Sequence, residues 1–200
     1  MNSVWTRRAL TAFLLAVLVV CGLLLYRLWM ERMSPESVSG EALVGGPFTL
    51  TDQNGNAVTD QTFKGKLMLI YFGFTFCPDA CPTALGVMGA ALDKLDVAAE
   101  RVVPILISVD PERDTPQVLK EYVANFHPRM VGLTGTPEQV AQVAKAYHVW
   151  YEKAAGATGG DYLMNHTVLI YLMDGDGKYL ANFGPDATPD QVADEIRKHL

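Results

Sequence analysis

Cysteine is scarce in this chain: three in 200 residues, at positions 21, 77 and 81, of which only Cys77 and Cys81 lie close together. A structural disulfide across so short a loop would restrict the unfolded chain only modestly, so bracing the fold is the weakest use of that pair. Basic residues are also in deficit, 16 Lys and Arg against 22 Asp and Glu. A net charge of −6 offers no basic face for phosphates and excludes nucleic acid as a partner. No 20- to 50-residue period recurs, which excludes a solenoid. With 50% hydrophobic and 19% charged residues, the composition is that of a globular chain and not a disordered one.

One long apolar run is present, and it stands at the front. Ala9 to Tyr26, "ALTAFLLAVLVVCGLLLY", carries no charge and is bracketed by Arg7 and Arg8 before it and Arg27, Glu31 and Arg32 after it. Extended through Met30, it is long enough to span a bilayer. We expect residues 1–8 as a cytoplasmic N-terminus, 9–30 as a transmembrane anchor, 31–45 as a polar, glycine-rich linker and 46–200 as the domain. No A-x-A-like cleavage site follows the run. Val20 is a poor residue to precede a lipidated cysteine, so Cys21 is expected to pack within the span. The slight N-terminal excess of positive charge puts the domain outside the cytoplasm, where cysteine pairs can be oxidised.

Behind the linker, "PFTLTDQNGNAV" is a hairpin pattern turning on Asn54-Gly55. "KLMLIYFGF" and "RVVPILISVD" are continuous apolar runs of strand length, as expected of strands buried on both faces. "TALGVMGAALDKL" has helical spacing, while "TPQVLKEYVANF" and "TPEQVAQVAKAYHV" open on a Thr cap followed by Pro. "RMVGLTG" is a short strand, "HTVLIYLMDGDGKYLANFG" a hairpin and "TPDQVADEIRKHL" a closing helix. The order predicts an α/β domain with a mixed central sheet flanked by helices, and it resembles the thioredoxin-like fold.

The cysteines stand in "GFTFCPDACPTALG", between the first core strand and its helix. Proline is welcome at a first helical position, so the helix is expected to start at Pro82 with Cys81 at or near its cap. A helix N-terminus lowers the pKa of a nearby thiol. The spacing is C-x-x-x-C and not the C-x-x-C usual in a dithiol oxidoreductase. A metal site needs a further ligand, and His166 in "YLMNHTVLIYL" stands where a thioredoxin-like chain carries its cis-proline. Two thiolates and an imidazole suit copper and can hold Cu(I) three-coordinate, whereas zinc would want a fourth ligand. Redox couple and metal jaws both stay open on these grounds.

"GFTFCPDACP", "SVDPERDTP", "FHPRMVGLTGTPEQV" and "NHTVLIYLMDGDGKYLANFG", in register from about Phe48 onward, resemble the Sco/SenC family of membrane-anchored cytochrome c oxidase assembly proteins. The resemblance implies a thioredoxin-like fold in the bacterial periplasm or the mitochondrial intermembrane space. It implies one bound copper, Cu(I) or Cu(II), held by Cys77, Cys81 and His166, and a role in metallating the dinuclear copper centre of oxidase subunit II. Such a protein is a metallochaperone and not an enzyme, with subunit II and an upstream copper donor or thiol reductant as partners. The alternative is a thiol–disulfide oxidoreductase that cycles a Cys77–Cys81 disulfide to keep the subunit II cysteines reduced. A bacterial origin is expected, since no Arg- and Ser-rich transit peptide precedes the span.

Other residues are given plainer roles. Asp110 is either a turn cap before Pro111 or a carboxylate that orients the imidazole. Glu112, Arg113 and Asp114 are expected as a solvated turn with a local ion pair. His127, His148 and His199 are assigned to surface or helix-end positions, and "DGDGK" (Asp174 to Lys178) to a hairpin turn and not a calcium loop. No M-x-x-M cluster stands near the cysteines.

Overall fold

The structure, a computed structural model, describes residues 44–154 and 162–200 together with Leu23 and Tyr26. The anchor expected over 9–30 (those two residues apart), Cys21 and all but the end of the 31–45 linker lie outside the described residues. Among the described residues no helix is long and apolar enough to cross a membrane. The chain divides into two units, Met1–Ala42 and Leu43–Leu200, and the second holds the sheet and its helices.

A hairpin opens this unit: β1 (Thr49–Asp52) pairs antiparallel with β2 (Ala57–Thr59). Gly55 supplies the positive φ of its turn, at +84°, and the Asp52 carboxylate accepts the Asn54 and Asn56 amides. The central strands β3 (Leu67–Gly73) and β4 (Val102–Ser108) run parallel in continuous register, and β5 (Val131–Thr134) extends the parallel set from β4. On the other side of β3 lies the antiparallel hairpin of β8 (Ile170–Met173) and β9 (Tyr179–Phe183). The resulting strand order is β2-β1-β5-β4-β3-β8-β9. All seven residues of β3 are buried because the strand has neighbours on both edges and cover on both faces.

Among the described residues four α-helices complete the unit: α1 (Ala80–Asp93), α2 (Pro116–Val123), α3 (Pro137–Ala146) and α4 (Pro189–Arg197). In α2, α3 and α4 the cap is Thr115, Thr136 or Thr188, whose hydroxyl accepts the amide three residues on, with Pro next in line. Helix α1 packs on β3 and β4 and against α4, while α2 lies over β5. Gly132 allows that last approach, since a Cβ there would sit 3.1 Å from the Leu119 Cβ. Asp174 in the "DGDGK" turn accepts the amides of Asp176 and Lys178, which accounts for its carboxylate without an ion.

An element that the residue pattern did not disclose is a small ribbon apart from the main sheet, β6 (Tyr151–Lys153) against β7 (Met164–His166). At the other side of the site, the Val109 amide bonds the Gly73 carbonyl at 2.8 Å. The loops leaving β3 and β4 therefore start side by side, at the carboxyl ends of adjacent parallel strands where α/β sheets place their sites.

Candidate metal centre

Cys77 lies in the loop after β3 and Cys81 in the first turn of α1; both are free thiols. The helix begins two residues earlier than expected, at Ala80 with Asp79 as its cap, so Cys81 is inside the helix and Pro82 is its third residue. Proline fits there because the first four amides of a helix have no intrahelical acceptor, and the residue four back, Pro78, precedes the helix. One of those unclaimed amides, that of Cys81, donates to the Cys77 sulfur at 3.4 Å. Cys77 is half-buried, whereas Cys81 is fully buried at 0% exposure.

The two sulfurs differ electrostatically as well. A hydrogen bond from the Cys81 thiol, helped by the Asp79 and Cys81 amides, outweighs partial burial and lowers the Cys77 pKa to about 5. Cys81 is pushed upward by the same bond, which it gives up when it loses its proton, and by burial. Gly73 admits this sulfur: a Cβ at that position would stand 2.8 Å from the Cys81 Sγ and 2.8 Å from the Tyr71 ring. The Tyr71 hydroxyl is buried in the same surroundings, and burial together with the neighbouring Cys81 sulfur pushes its pKa upward.

His166, the last residue of β7, turns its Nε2 to within 3.6 Å of the Cys81 Sγ. Its Nδ1 lies 3.0 Å from the Thr167 carbonyl oxygen. A carbonyl only accepts, so Nδ1 carries a proton, and in the neutral ring Nε2 presents its lone pair toward the sulfurs. The rings of Tyr71 and Phe74 meet the imidazole edge to face, at 5.9 and 5.8 Å between centroids. Sγ of Cys77, Sγ of Cys81 and a ring nitrogen of His166 all lie within 4.8 Å of one another, the one such group of three among the described residues. No cis peptide bond occurs among the described residues.

Among the described residues no hydrogen bond joins Asp110 to the imidazole, whose Nδ1 is held by the Thr167 carbonyl. The Asp110 carboxylate, 1% exposed, accepts the Tyr162 hydroxyl at 2.6 Å and the Arg113 Nε at 2.5 Å. The expected solvated turn is largely buried too. Asp114 is fully enclosed and accepts the Thr75 amide at 3.1 Å, the Thr75 hydroxyl at 2.6 Å and the Ser108 hydroxyl at 2.6 Å. Of the three charges only Glu112 is exposed, paired with Lys153 at 2.7 Å. Three charged residues in a row imply a wet turn; their burial follows from Thr75 and Ser108 arriving opposite them from β3 and β4. The remaining histidines lie away from the site. His148 ends α3 in a left-handed conformation at φ +55° and His199 meets Glu195, as expected, whereas His127 is mostly covered and accepts the Arg129 amide.

An α/β domain of thioredoxin-like design, with two thiols and an imidazole converging at the ends of its central parallel strands, defines a class of dithiol proteins equipped to hold a soft metal. The model of the SCO1/SenC family matches residues 36–200, and the chain belongs to that family. It is 43% identical over 163 residues to the human mitochondrial protein SCO1 homolog, an alignment covering 80% of this chain and 54% of that one. The chain thus spans about half the length of that curated relative. Among solved structures, Bradyrhizobium japonicum ScoI with copper bound has a TM-score of 0.73 at 48% identity, covering 78% of this chain and 99% of that one. BsSco, a member of the Sco family of cytochrome c oxidase assembly proteins with a disulfide switch, has a TM-score of 0.63 at 28% identity, covering 78% and 93%.

Proposed function

We propose that this chain is a copper-binding assembly factor that takes up one copper ion between Cys77, Cys81 and His166 and passes it to the dinuclear copper centre of cytochrome c oxidase subunit II. The observation that carries the reading is the convergence of two sulfurs and an imidazole nitrogen within 4.8 Å. The donor set fits the metal: thiolates suit Cu(I), and imidazole suits both oxidation states. Copper bound by the similar Bradyrhizobium protein supports the same choice. Cys77 supplies a sulfur that is ionised at neutral pH, and His166 a ring nitrogen whose orientation is held by its own backbone. The uncharged stretch from Ala9 to Tyr26 supports a membrane anchor, with the domain in the periplasm. Membership of a family that includes oxidase assembly proteins supports subunit II as client.

The pair of free thiols also supports a redox reading, in which Cys77 attacks a partner's disulfide and Cys81 then closes on Cys77. Two thiols become one disulfide, and the partner gains two electrons and two protons. Closing an S–S bond of about 2.05 Å from a separation of at most 4.8 Å requires a shift of under about 3 Å. Anaerobic Cu(I) titration against a competing chelator separates the two. The carrier reading expects one copper per chain, with binding weakened by His166→Ala and abolished by Cys77→Ala/Cys81→Ala. A wild type that loses all copper to the chelator while reducing a subunit II disulfide would overturn it in favour of the redox reading.

A further inference from the structure

Arg113 lies at the junction of the two segments that carry the candidate ligands. Its guanidinium carbon stands 3.6 Å from the centroid of the Tyr162 ring, 4.5 Å from that of Phe76 and 5.9 Å from that of Phe74. Phe74 and Phe76 belong to the loop that delivers Cys77; Tyr162 lies four residues before His166 on the approach to β7. Asp110 fastens the arrangement from beneath, accepting from Arg113 with one carboxylate oxygen and from the Tyr162 hydroxyl with the other. Phe74 closes the circuit, since the same ring that faces Arg113 meets the His166 imidazole at a right angle.

Lys153 of β6 adds a second, exposed tie from the ribbon to the same loop, pairing with Glu112 at 2.7 Å. His166 ends β7, whose one strand partner among the described residues is β6, outside the main sheet, and its Nδ1 bonds its own chain neighbour. Phe76 is 56% exposed yet covers Arg113, whose side chain is 14% exposed. An arginine shielded this far is held by its rings and its carboxylate more firmly than a surface ion pair would hold it. Its planar fork can stack and hydrogen-bond at once, which an ammonium cannot.

We infer that Arg113 is a positioning residue of the metal site: stacked on Phe76 and Tyr162 and gripped by Asp110, it sets the distance between the Cys77 loop and the His166 strand. The inference rests on the copper-binding reading for its consequence and on the contacts of Arg113 for its substance. Removing this tie lets the imidazole drift from the sulfurs without altering any donor atom.

The test is a double-mutant cycle on the full-length chain with Arg113→Met and His166→Ala, read by Cu(I) competition, together with amide hydrogen exchange on the reduced, metal-free protein. Arg113→Met is expected to weaken copper binding about tenfold when His166 is present, a loss usual for residues that steady a ligand. In the His166→Ala background the same change is expected to have little effect. In the metal-free protein, amides of residues 74–77 and 162–166 should lose protection together while β3 and β8 keep theirs. An equal loss of affinity in both backgrounds, no loss in either, or exchange that rises throughout the domain would overturn the inference. A wild type that binds no copper would sink the copper reading, and the exchange result would still decide for or against the tie.

Discussion

Replacing Gly73 by alanine tests the packing around the buried sulfur directly. The added Cβ would lie 2.8 Å from the Cys81 Sγ and 2.8 Å from Cε1 of Tyr71. Ordinary contacts between such atoms begin near ~3.5 Å, so each neighbour must yield by about 0.7 Å. Neither has room: both side chains are 0% exposed, and Tyr71 is further confined by the His166 ring at its edge. Forcing a methyl into a site packed this closely costs about 1–3 kcal/mol. In a domain of this size that is a fall of about 3–10 °C in the melting temperature of the reduced, metal-free protein. The displaced sulfur should also weaken Cu(I) binding in chelator competition. Gly86→Ala is the control, because it sits exposed in α1 with no atom within 4 Å of the added methyl. There alanine should stabilise by about 0.5–1 kcal/mol through helix propensity alone. If Gly73→Ala melts within a degree of wild type and binds copper equally well, the claim that this glycine makes room for the thiol is refuted.

Further outcomes follow from the same geometry. With Cys77 lowered to about 5, its alkylation by iodoacetamide should be nearly flat from pH 6 to 8 and fall only below about pH 5; a rate still rising tenfold per unit at pH 8 would contradict the hydrogen bond from Cys81. The folded protein then holds Cys77 ionised where the unfolded chain has it protonated. This residue's contribution to stability should therefore grow as pH rises from about 5 toward 9, with Cys81 opposing it above that range, as urea midpoints across pH would reveal. Asp114→Ala strands the buried Ser108 hydroxyl and two part-buried donors on Thr75 and is expected to destabilise by about 2 kcal/mol; an unchanged urea midpoint would show that they find other partners. Thr188→Ala removes the cap on the Gln191 amide and should cost about 1 kcal/mol in thermal unfolding, with no effect on copper titration.

Much of this arrangement is legible in the residues. The two long apolar runs become the paired central strands, the Thr-Pro starts become capped helices, and Asn54-Gly55 turns the first hairpin. Cys77, Cys81 and His166 converge although 85 residues separate the second from the third. Patterns with a local cause were readable, because periodicity, capping and turn chemistry act within a few residues. The rest depends on distant partners. A three-residue ribbon such as β6–β7 has too short an alternation to register, and β1 reaches β5 only through a crossover that no local pattern encodes. "ERD" has the composition of a wet turn, and only the arrival of Thr75, Ser108, Phe76 and Tyr162 makes a buried clasp of Arg113 and Asp114. Gly73 escaped notice for the same reason, since nothing in "YFGFTF" says that a thiol will press against it.

The unequal exposure of the two sulfurs sets an order of events. Cys77 looks outward and Cys81 is sealed behind it, with His166 at the rim. A visiting partner, whether a thiol that takes up a metal ion or a disulfide that takes up two electrons, can approach the outer sulfur and has no route to the inner one while the fold is intact. Arrival and departure thus share one doorway. On the proposed copper-carrier reading, the first grip to loosen is the outer one, and Cys81 holds until the ion has already gained its new ligand.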